Sequence, residues 1–181
     1  MNVFDLTPTA LPGCFILSSF HQKDDRGSFT KVFHEDEFKK HKLPYQFKEQ
    51  YFSTSKKGVL RGLHFQTPPH DHEKLVYCSM GSILDVVLDL RKDEKTFGQV
   101  ISLRLEAHTP QMIIIPKGCA HGFCTPWEDA MVTYMTTTVY NPEHDRGLLW
   151  TSIPFEWPMD SFEVSKRDTL HPTLQAFDSP F

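Results

Sequence analysis

The apolar residues of this chain fall in short runs of four to eight, closed by Gly, Pro, Asn, Asp or a pair of lysines. Such runs suit strands, whereas a helical bundle needs apolar positions recurring every three to four residues over longer stretches. Strands are predicted over residues 14–19, 28–33, 50–53, 59–66, 74–79, 83–90, 100–105, 112–115, 122–125, 131–139 and 148–150. A helix is predicted over 35–40, and a short second one over 169–177 is interrupted by Pro172. So many short strands with tight connections specify an all-β antiparallel barrel or sandwich carrying short peripheral helices. No repeat, low-complexity tract or compositional break divides the 181 residues, so a single domain over 1–181 is expected.

Composition narrows the possible functions. Fifteen Phe, three Trp and five Tyr outnumber nine Gly, which disfavours a protein built on glycine-rich nucleotide loops. The formal net charge of -4 argues against a nucleic-acid partner, which calls for a basic excess. No stretch reaches the roughly 18 to 20 apolar residues of a membrane span, and the N-terminus has no basic segment followed by an apolar one. A cytoplasmic protein without a membrane partner is expected. Cys14, Cys78, Cys119 and Cys124 form no C-x-x-C pair and are expected as reduced, buried thiols. Cys119 and Cys124 flank His121, yet no third group is placed to orient a nucleophile pair.

Side chains at i and i+2 share a strand face. Leu84, Val86, Leu88 and Leu90 make one apolar face, while Asp85, Asp89 and Arg91 share the other with Ile83 and Val87. His72, Lys74, Val76 and Cys78 fall on one side, as do Val132, Tyr134, Thr136, Thr138 and Tyr140. Polar groups on the inward faces of several strands predict a wet interior site.

Ten histidines invite a metal reading. His70-x-His72 ahead of Gly81, and Pro116-x-Gly118-x-x-His121, are similar to the two sequence motifs of the cupin superfamily of small β-barrels. The second matches well and the first does not: the positions of the usual glutamate ligand hold Val76 and Tyr77, and Glu73 points to the opposite face. No metal is therefore assigned, and His70 and His72 have the alternative of a solvated loop after Pro68-Pro69.

The stronger signal is a series of segments in order: Gly58-Val-Leu-Arg-Gly-Leu-His64-Phe-Gln66, Glu73-Lys74-Leu-Val, Asp85-Val-Val-Leu-Asp89-Leu-Arg91, Ile115-Pro-Lys-Gly-Cys-Ala-His121-Gly-Phe123, and Tyr134 to Trp150. Together they resemble the dTDP-4-dehydrorhamnose 3,5-epimerase family, from Asp25-Arg-Gly-Ser-Phe29 through Ser165-Lys-Arg-Asp168. The resemblance implies a cupin-type jelly-roll barrel without metal or cofactor. Its substrate would be a nucleotide-linked 4-keto-6-deoxy sugar, with dTDP the first expectation and CDP or GDP the alternatives. It also implies a homodimer, with Phe29 lent by the neighbouring subunit against the nucleobase.

The residue types suit that chemistry. Hydrogens on C3 and C5 are α to the 4-keto group, so removing one leaves an enolate with its charge on O4. A base, a cation at O4 and an acid on the opposite face are required. His64 is the candidate base, since an imidazole accepts a proton at neutral pH. Lys74 is the candidate cation at the enolate oxygen, and Tyr134 the candidate acid. Asp168 resembles the carboxylate that orients the base and stabilises its imidazolium. Arg26 and Arg61 resemble the family's phosphate or sugar contacts. Glu49, His121 and Tyr140 are expected to complete the substrate site. Strict alternation would put Arg61 and His64 on opposite faces, which either a bulge at Gly62 or a place for Arg61 at the strand entrance would resolve.

The chain departs from the family pattern at Glu49-Gln50-Tyr51-Phe52-Ser53, at Met135, and at Thr151-Ser152-Ile153. These departures bear on substrate fit and on whether C3, C5 or both are inverted. The rival readings are a metal-dependent cupin enzyme, which chelation would inactivate, and a non-catalytic sugar-nucleotide-binding barrel, which would exchange no substrate hydrogen with solvent.

Overall fold

A computed structural model describes residues 3–181, so the first two residues of the N-terminal segment lie outside it. The strands are β1 (Phe4–Pro8), β2 (Phe15–Ser19), β3 (His21–Asp24), β4 (Gly27–Thr30), β5 (Glu49–Ser55), β6 (Val59–Gln66), β7 (Lys74–Met80), β8 (Ser82–Asp89), β9 (Val100–Glu106), β10 (Gln111–Ile115), β11 (Cys119–Cys124), β12 (Ala130–Thr136), β13 (Asp145–Gly147) and β14 (Glu163–Val164). The one α-helix among the described residues, α1, spans Glu35–Lys40 as its sequence predicts. Its acidic first turn and basic last turn complement the helix dipole, and buried Phe38 packs edge-on against Phe4 and Phe33.

Two sheets carry the fold, in the orders β1-β2-β10-β7-β12-β5 and β13-β6-β11-β8-β9. All their neighbours are antiparallel, and β14 adds to β6 in parallel. Strands from the two halves of the chain interleave in each sheet, which makes this a jelly roll of the cupin type.

Between the sheets, Val76 and Cys78 of β7 meet Ile83 and Val87 of β8, Phe123 of β11 and Val132 of β12 in a dry core. The outer faces are covered as well. Leu84, Val86, Leu88 and Leu90 lie beneath Trp157, Leu174, Phe177 and Phe181 of the C-terminal segment, while Leu75, Met112 and Ile114 pack under α1 and the N-terminal strands. Double coverage explains why β8 carries apolar residues on both faces, Ile83 and Val87 sharing the second with Asp85 and Asp89, and each fully buried side chain of this size contributes roughly 1.5–3 kcal/mol. It also fixes the C-terminal segment, which carries Asp168 back to β6.

The structure corrects several strand assignments. The predicted strand 148–150 is displaced to Asp145–Gly147, and Trp150–Ser152 is a 3-10 turn. Strand 131–139 stops at Thr136, and 28–33 is only the Gly27–Thr30 arm of a two-stranded hairpin with β3. In place of a helix over 169–177 there is a single 3-10 turn, Leu174–Ala176. β1, β3 and β14 are not among the predicted strands: β3 and β14 carry too little apolar alternation to be legible, and the alternation of β1, Phe4 and Leu6 against Asp5 and Thr7, is only four residues long before Pro8. No helix among the described residues is long and apolar enough to cross a membrane.

Candidate active site

Where the dry core ends, near Lys74 of β7 and its partner Thr136 of β12, the space between the sheets becomes a cavity of about 380 Å³. It is lined from β5 by Glu49, Tyr51 and Ser53, from β6 by Arg61 and His64, and from β12 by Tyr134. His121 of β11, Asp145 of β13, and Arg167 also reach it.

Arg61 and His64 share this cavity because the strand bulges between them. His121 pairs with His64 and Phe123 with Arg61, so two steps along β11 oppose three along β6. Gly62 is the extra residue, at φ +126°, and a Cβ there would come within 2.5 Å of Gly122 Cα. Only glycine satisfies both demands.

His64 Nε2 lies 2.8 Å from Asp168 Oδ1. Parallel pairing of β14 with β6 brings Asp168 there. The Gly62 N–H donates to Asp168 Oδ2 at 3.2 Å, and the Asp168 N–H donates to Ser165 Oγ. Burial opposes the charged form of Asp168, but the hydrogen bonds from His64, Gly62 and Arg167 outweigh it and hold the carboxyl well below its usual range. For His64, burial dominates and lowers the pKa, with help from the charges of Arg167 and Lys74, against the pull of Asp168.

Lys74 is 6% exposed, and among the described residues no carboxylate lies within ion-pair distance of its ammonium. Its one hydrogen bond donates to the His64 carbonyl at 3.3 Å. Desolvation brings its pKa down to about 8, although Asp145 and Asp85 pull the other way. Tyr134, also buried, has its hydroxyl 3.2 Å from Ser53 Oγ, and its ring stacks on Tyr51 at 4.8 Å. Burial raises its pKa and keeps the phenol protonated. His121 Nε2 is 2.7 Å from Asp85 Oδ2, and its ring stands edge-on to Tyr134. At the mouth, the Tyr140 N–H donates to Glu49 Oε2 at 2.7 Å, and its hydroxyl donates to Asp145 at 3.4 Å.

Eight of the ten site residues predicted from sequence therefore converge: His64, Lys74, Tyr134, Asp168, Glu49, Arg61, His121 and Tyr140. Arg26 and Phe29 do not. They lie on the exposed β3–β4 hairpin, where Arg26 pairs with Asp24 and Phe29 is 58% exposed.

His70 and His72 do lie in the loop between β6 and β7, as the alternative reading had it, but both are half-buried rather than solvated. His72 lines the cavity with Nδ1 held by Gln66 and Thr138, and burial drives its pKa down to about 3. All four cysteines are buried and free, and burial lifts Cys14, Cys78 and Cys124 to about 12, 11 and 12 respectively. Such thiols are poor nucleophiles. His64, Asp168 and His171 bring ligand atoms within 4.8 Å of one another. Arg167 Nη2, 2.7 Å from His64 Nε2, places a cation beside this cluster.

The family model of dTDP-4-dehydrorhamnose 3,5-epimerase matches residues 8–176. The chain belongs to the dTDP-4-dehydrorhamnose 3,5-epimerase family. A member from Salmonella typhimurium is 38% identical over 172 residues, which cover 92% of this chain and 93% of that one. The crystal structure of the Bacillus anthracis dTDP-4-dehydrorhamnose 3,5-epimerase with TDP and pyrophosphate bound has a TM-score of 0.91 at 34% identity, covering 94% of this chain and 99% of that one. The Legionella pneumophila dTDP-6-deoxy-D-glucose-3,5-epimerase, in complex with dTDP-4-keto-L-rhamnose, superposes with a TM-score of 0.91 at 30% identity, covering 97% and 95%. Membership in this epimerase family makes the protein an isomerase acting beside the 4-keto group of a nucleotide-linked 6-deoxy sugar.

The departures from the family pattern now have locations. Met135 packs on the outer face of its sheet with Leu75 and Tyr77, away from the cavity. Ile153 and Ser152 anchor the C-terminal segment, Ser152 Oγ accepting the Leu174 N–H at 2.9 Å. Only the departures on β5 reach the cavity, through Glu49 and Tyr51. Sequence reasoning missed Tyr51, Asp145, Arg167, His171 and the Asp85 partner of His121. Arg167 adjoins the matched Asp168, and Asp145 lies in the strand that was misplaced, so the signal was present in both neighbourhoods.

Proposed function

We propose that the cavity binds a dTDP-linked 4-keto-6-deoxy sugar and inverts C3, C5 or both by proton removal and return. His64 takes the hydrogen α to the carbonyl. The resulting imidazolium has both ring nitrogens protonated, and Asp168 accepts the Nε2–H. Lys74 meets the negative charge that gathers on O4, a charge present only on the way to the enolate, so its attraction lowers the barrier rather than merely tightening binding. Tyr134, neutral and on another sheet from His64, supplies a proton to the opposite face of the ring. Because C3 and C5 flank one carbonyl, one set of groups serves both carbons.

The observation that carries this reading is a buried ammonium without a carboxylate partner, in one cavity with an Asp-backed histidine and a protonated tyrosine. A buried unpaired charge is costly, and an enolate is the partner that repays it. Arg61 serves the diphosphate or the sugar, while Glu49, His121 and Tyr140 serve the sugar and base. The exposed Arg26 and Phe29 fit a homodimer in which each hairpin serves the neighbouring subunit's nucleotide. We take residues 1–181 as one domain of a cytoplasmic enzyme.

Incubation of dTDP-, CDP- and GDP-linked 4-keto-6-deoxyhexoses in deuterated water, followed by NMR, tests the proposal. Deuterium entering at C3 or C5 with inversion, fastest for the dTDP sugar, is the expected result. No incorporation with any of the three would overturn it.

A further inference from the structure

One atom of the site is claimed twice. His64 Nε2 lies 2.8 Å from Asp168 Oδ1 and 2.7 Å from Arg167 Nη2. An ionised carboxylate only accepts and a guanidinium only donates, while a ring nitrogen presents either an N–H or a lone pair. Unprotonated Nε2 therefore accepts from Arg167, and protonated Nε2 donates to Asp168. The two partners select opposite protonation states of the same nitrogen.

Arg167 is held in this place from a second side. Its Nη1 donates to Asp145 Oδ2 at 2.8 Å, and its Nε donates to Asp168 Oδ1 at 3.2 Å, the same oxygen that faces His64. The guanidinium thus competes with the imidazole for Asp168 as well as facing it directly. Asp168 is 2% exposed and fixed by Gly62, whereas the Arg167 side chain is half exposed, so Arg167 is the partner able to yield.

We propose that Arg167, anchored by Asp145, is a positioning residue that acts through His64: in the empty site it disfavours the imidazolium and holds the neutral ring with its hydrogen on Nδ1, and it must cede Nε2 to Asp168 before Nδ1 is free to take a proton. This rests on the reading of His64 as the base. The other charged and titratable groups around the imidazole are Lys74 of β7, His121 across from it on β11, Asp145 of β13, and Asp168 and His171 of the C-terminal segment. Lys74 acts in the same sense as Arg167 and Asp168 in the opposite one, while His121 is committed to Asp85. Like-charge repulsion from Arg167 and its share of Asp168 both disfavour the imidazolium.

The test is an NMR titration of the His64 ring in the wild type, Arg167→Gln and Arg167→Lys, which needs no substrate, together with the pH profile of kcat/KM. Arg167→Gln should move the His64 midpoint to higher pH, with Arg167→Lys nearer the wild type. The kcat/KM of Arg167→Gln relative to wild type should fall a further two- to fivefold, roughly, between pH 8 and pH 5.5, the size of a half-exposed charge interaction. A His64 midpoint unchanged or lowered in Arg167→Gln overturns the inference. If the midpoint rises as expected but the wild type epimerises no sugar nucleotide, the proposed function fails and the coupling of Arg167 to His64 stands.

Discussion

Replacing Asp168 by Asn isolates what the carboxylate contributes to the base. The Asn carbonyl can still accept the Gly62 N–H that Asp168 now receives at 3.2 Å, so the local backbone keeps its partner. What disappears is the charge 2.8 Å from His64 Nε2, and an Asn amide turned toward the ring presents an N–H that the imidazolium cannot use. A hydrogen bond to a charged group contributes about 1.5–3 kcal/mol, and each 1.36 kcal/mol on the barrier is tenfold in rate, so kcat should fall roughly 10- to 150-fold. Deuterium incorporation at C3 and C5 of the substrate, followed by NMR at pH 7.5, gives the rate of proton transfer itself. A thermal melt alongside it shows whether the variant is folded. A folded Asp168→Asn with exchange within about threefold of wild type would refute the pairing of Asp168 with the imidazolium, since the charge term alone exceeds that margin.

Tyr134→Phe removes the acid but not the base, so deuterium should still enter the substrate while inversion falls by about 100-fold or more; equal losses of exchange and inversion would place Tyr134 elsewhere in the reaction. Lys74→Met should abolish measurable turnover yet raise the melting temperature at pH 7. The pKa drop from 10.5 to about 8 marks an ammonium disfavoured by the fold, a cost on the order of 3 kcal/mol that is fully present below pH 8. Acid should destabilise the protein through groups whose pKa values are depressed on folding. His72 falls from 6.5 to about 3, and His64 and His171 are lowered too. The unfolded chain therefore binds protons that the folded one refuses, and stability declines as pH falls below about 6.5. The lowered Asp168 extends this loss below pH 3.8. His72→Gln should flatten the slope between pH 6 and 4, by at most about 1.4 kcal/mol per pH unit in chemical denaturation.

The polar interior faces of this site were legible because strand alternation is a strict rule, while the choice of His64 and Asp168 came from the resemblance to the epimerase family. Lys74 shares a face with Val76 and Cys78, and Tyr134 shares one with Val132 and Thr136, so the polar ends of two apolar faces had to meet. The family resemblance put Arg61 and His64 in one site, and alternation then left two ways to reconcile them, a bulge at Gly62 or Arg61 at the strand entrance, of which the structure takes the first. What stayed hidden comes from segments without alternation. β14 is two residues long, yet its parallel pairing delivers Asp168, Arg167 and His171 to His64. β13 owes its position to pairing with the edge of β6 rather than to its own pattern, so Asp145 went unnoticed. The outward location of Met135 follows from the alternation that put Tyr134 inside. The place of Arg26 and Phe29 depends on a hairpin that is hydrogen-bonded into neither main sheet, and no pattern in a single chain specifies what its exposed face meets.

The account rests on His64 as the group that takes the proton. Mixing the wild type and His64→Asn separately with a dTDP-linked 4-keto-6-deoxyhexose in deuterated water, and reading deuterium at C3 and C5, tests it most directly. Incorporation by the wild type and a loss of at least about 100-fold in a folded, nucleotide-binding His64→Asn is the predicted result. Near-native incorporation by that variant would contradict it and send the search for the base elsewhere in the cavity.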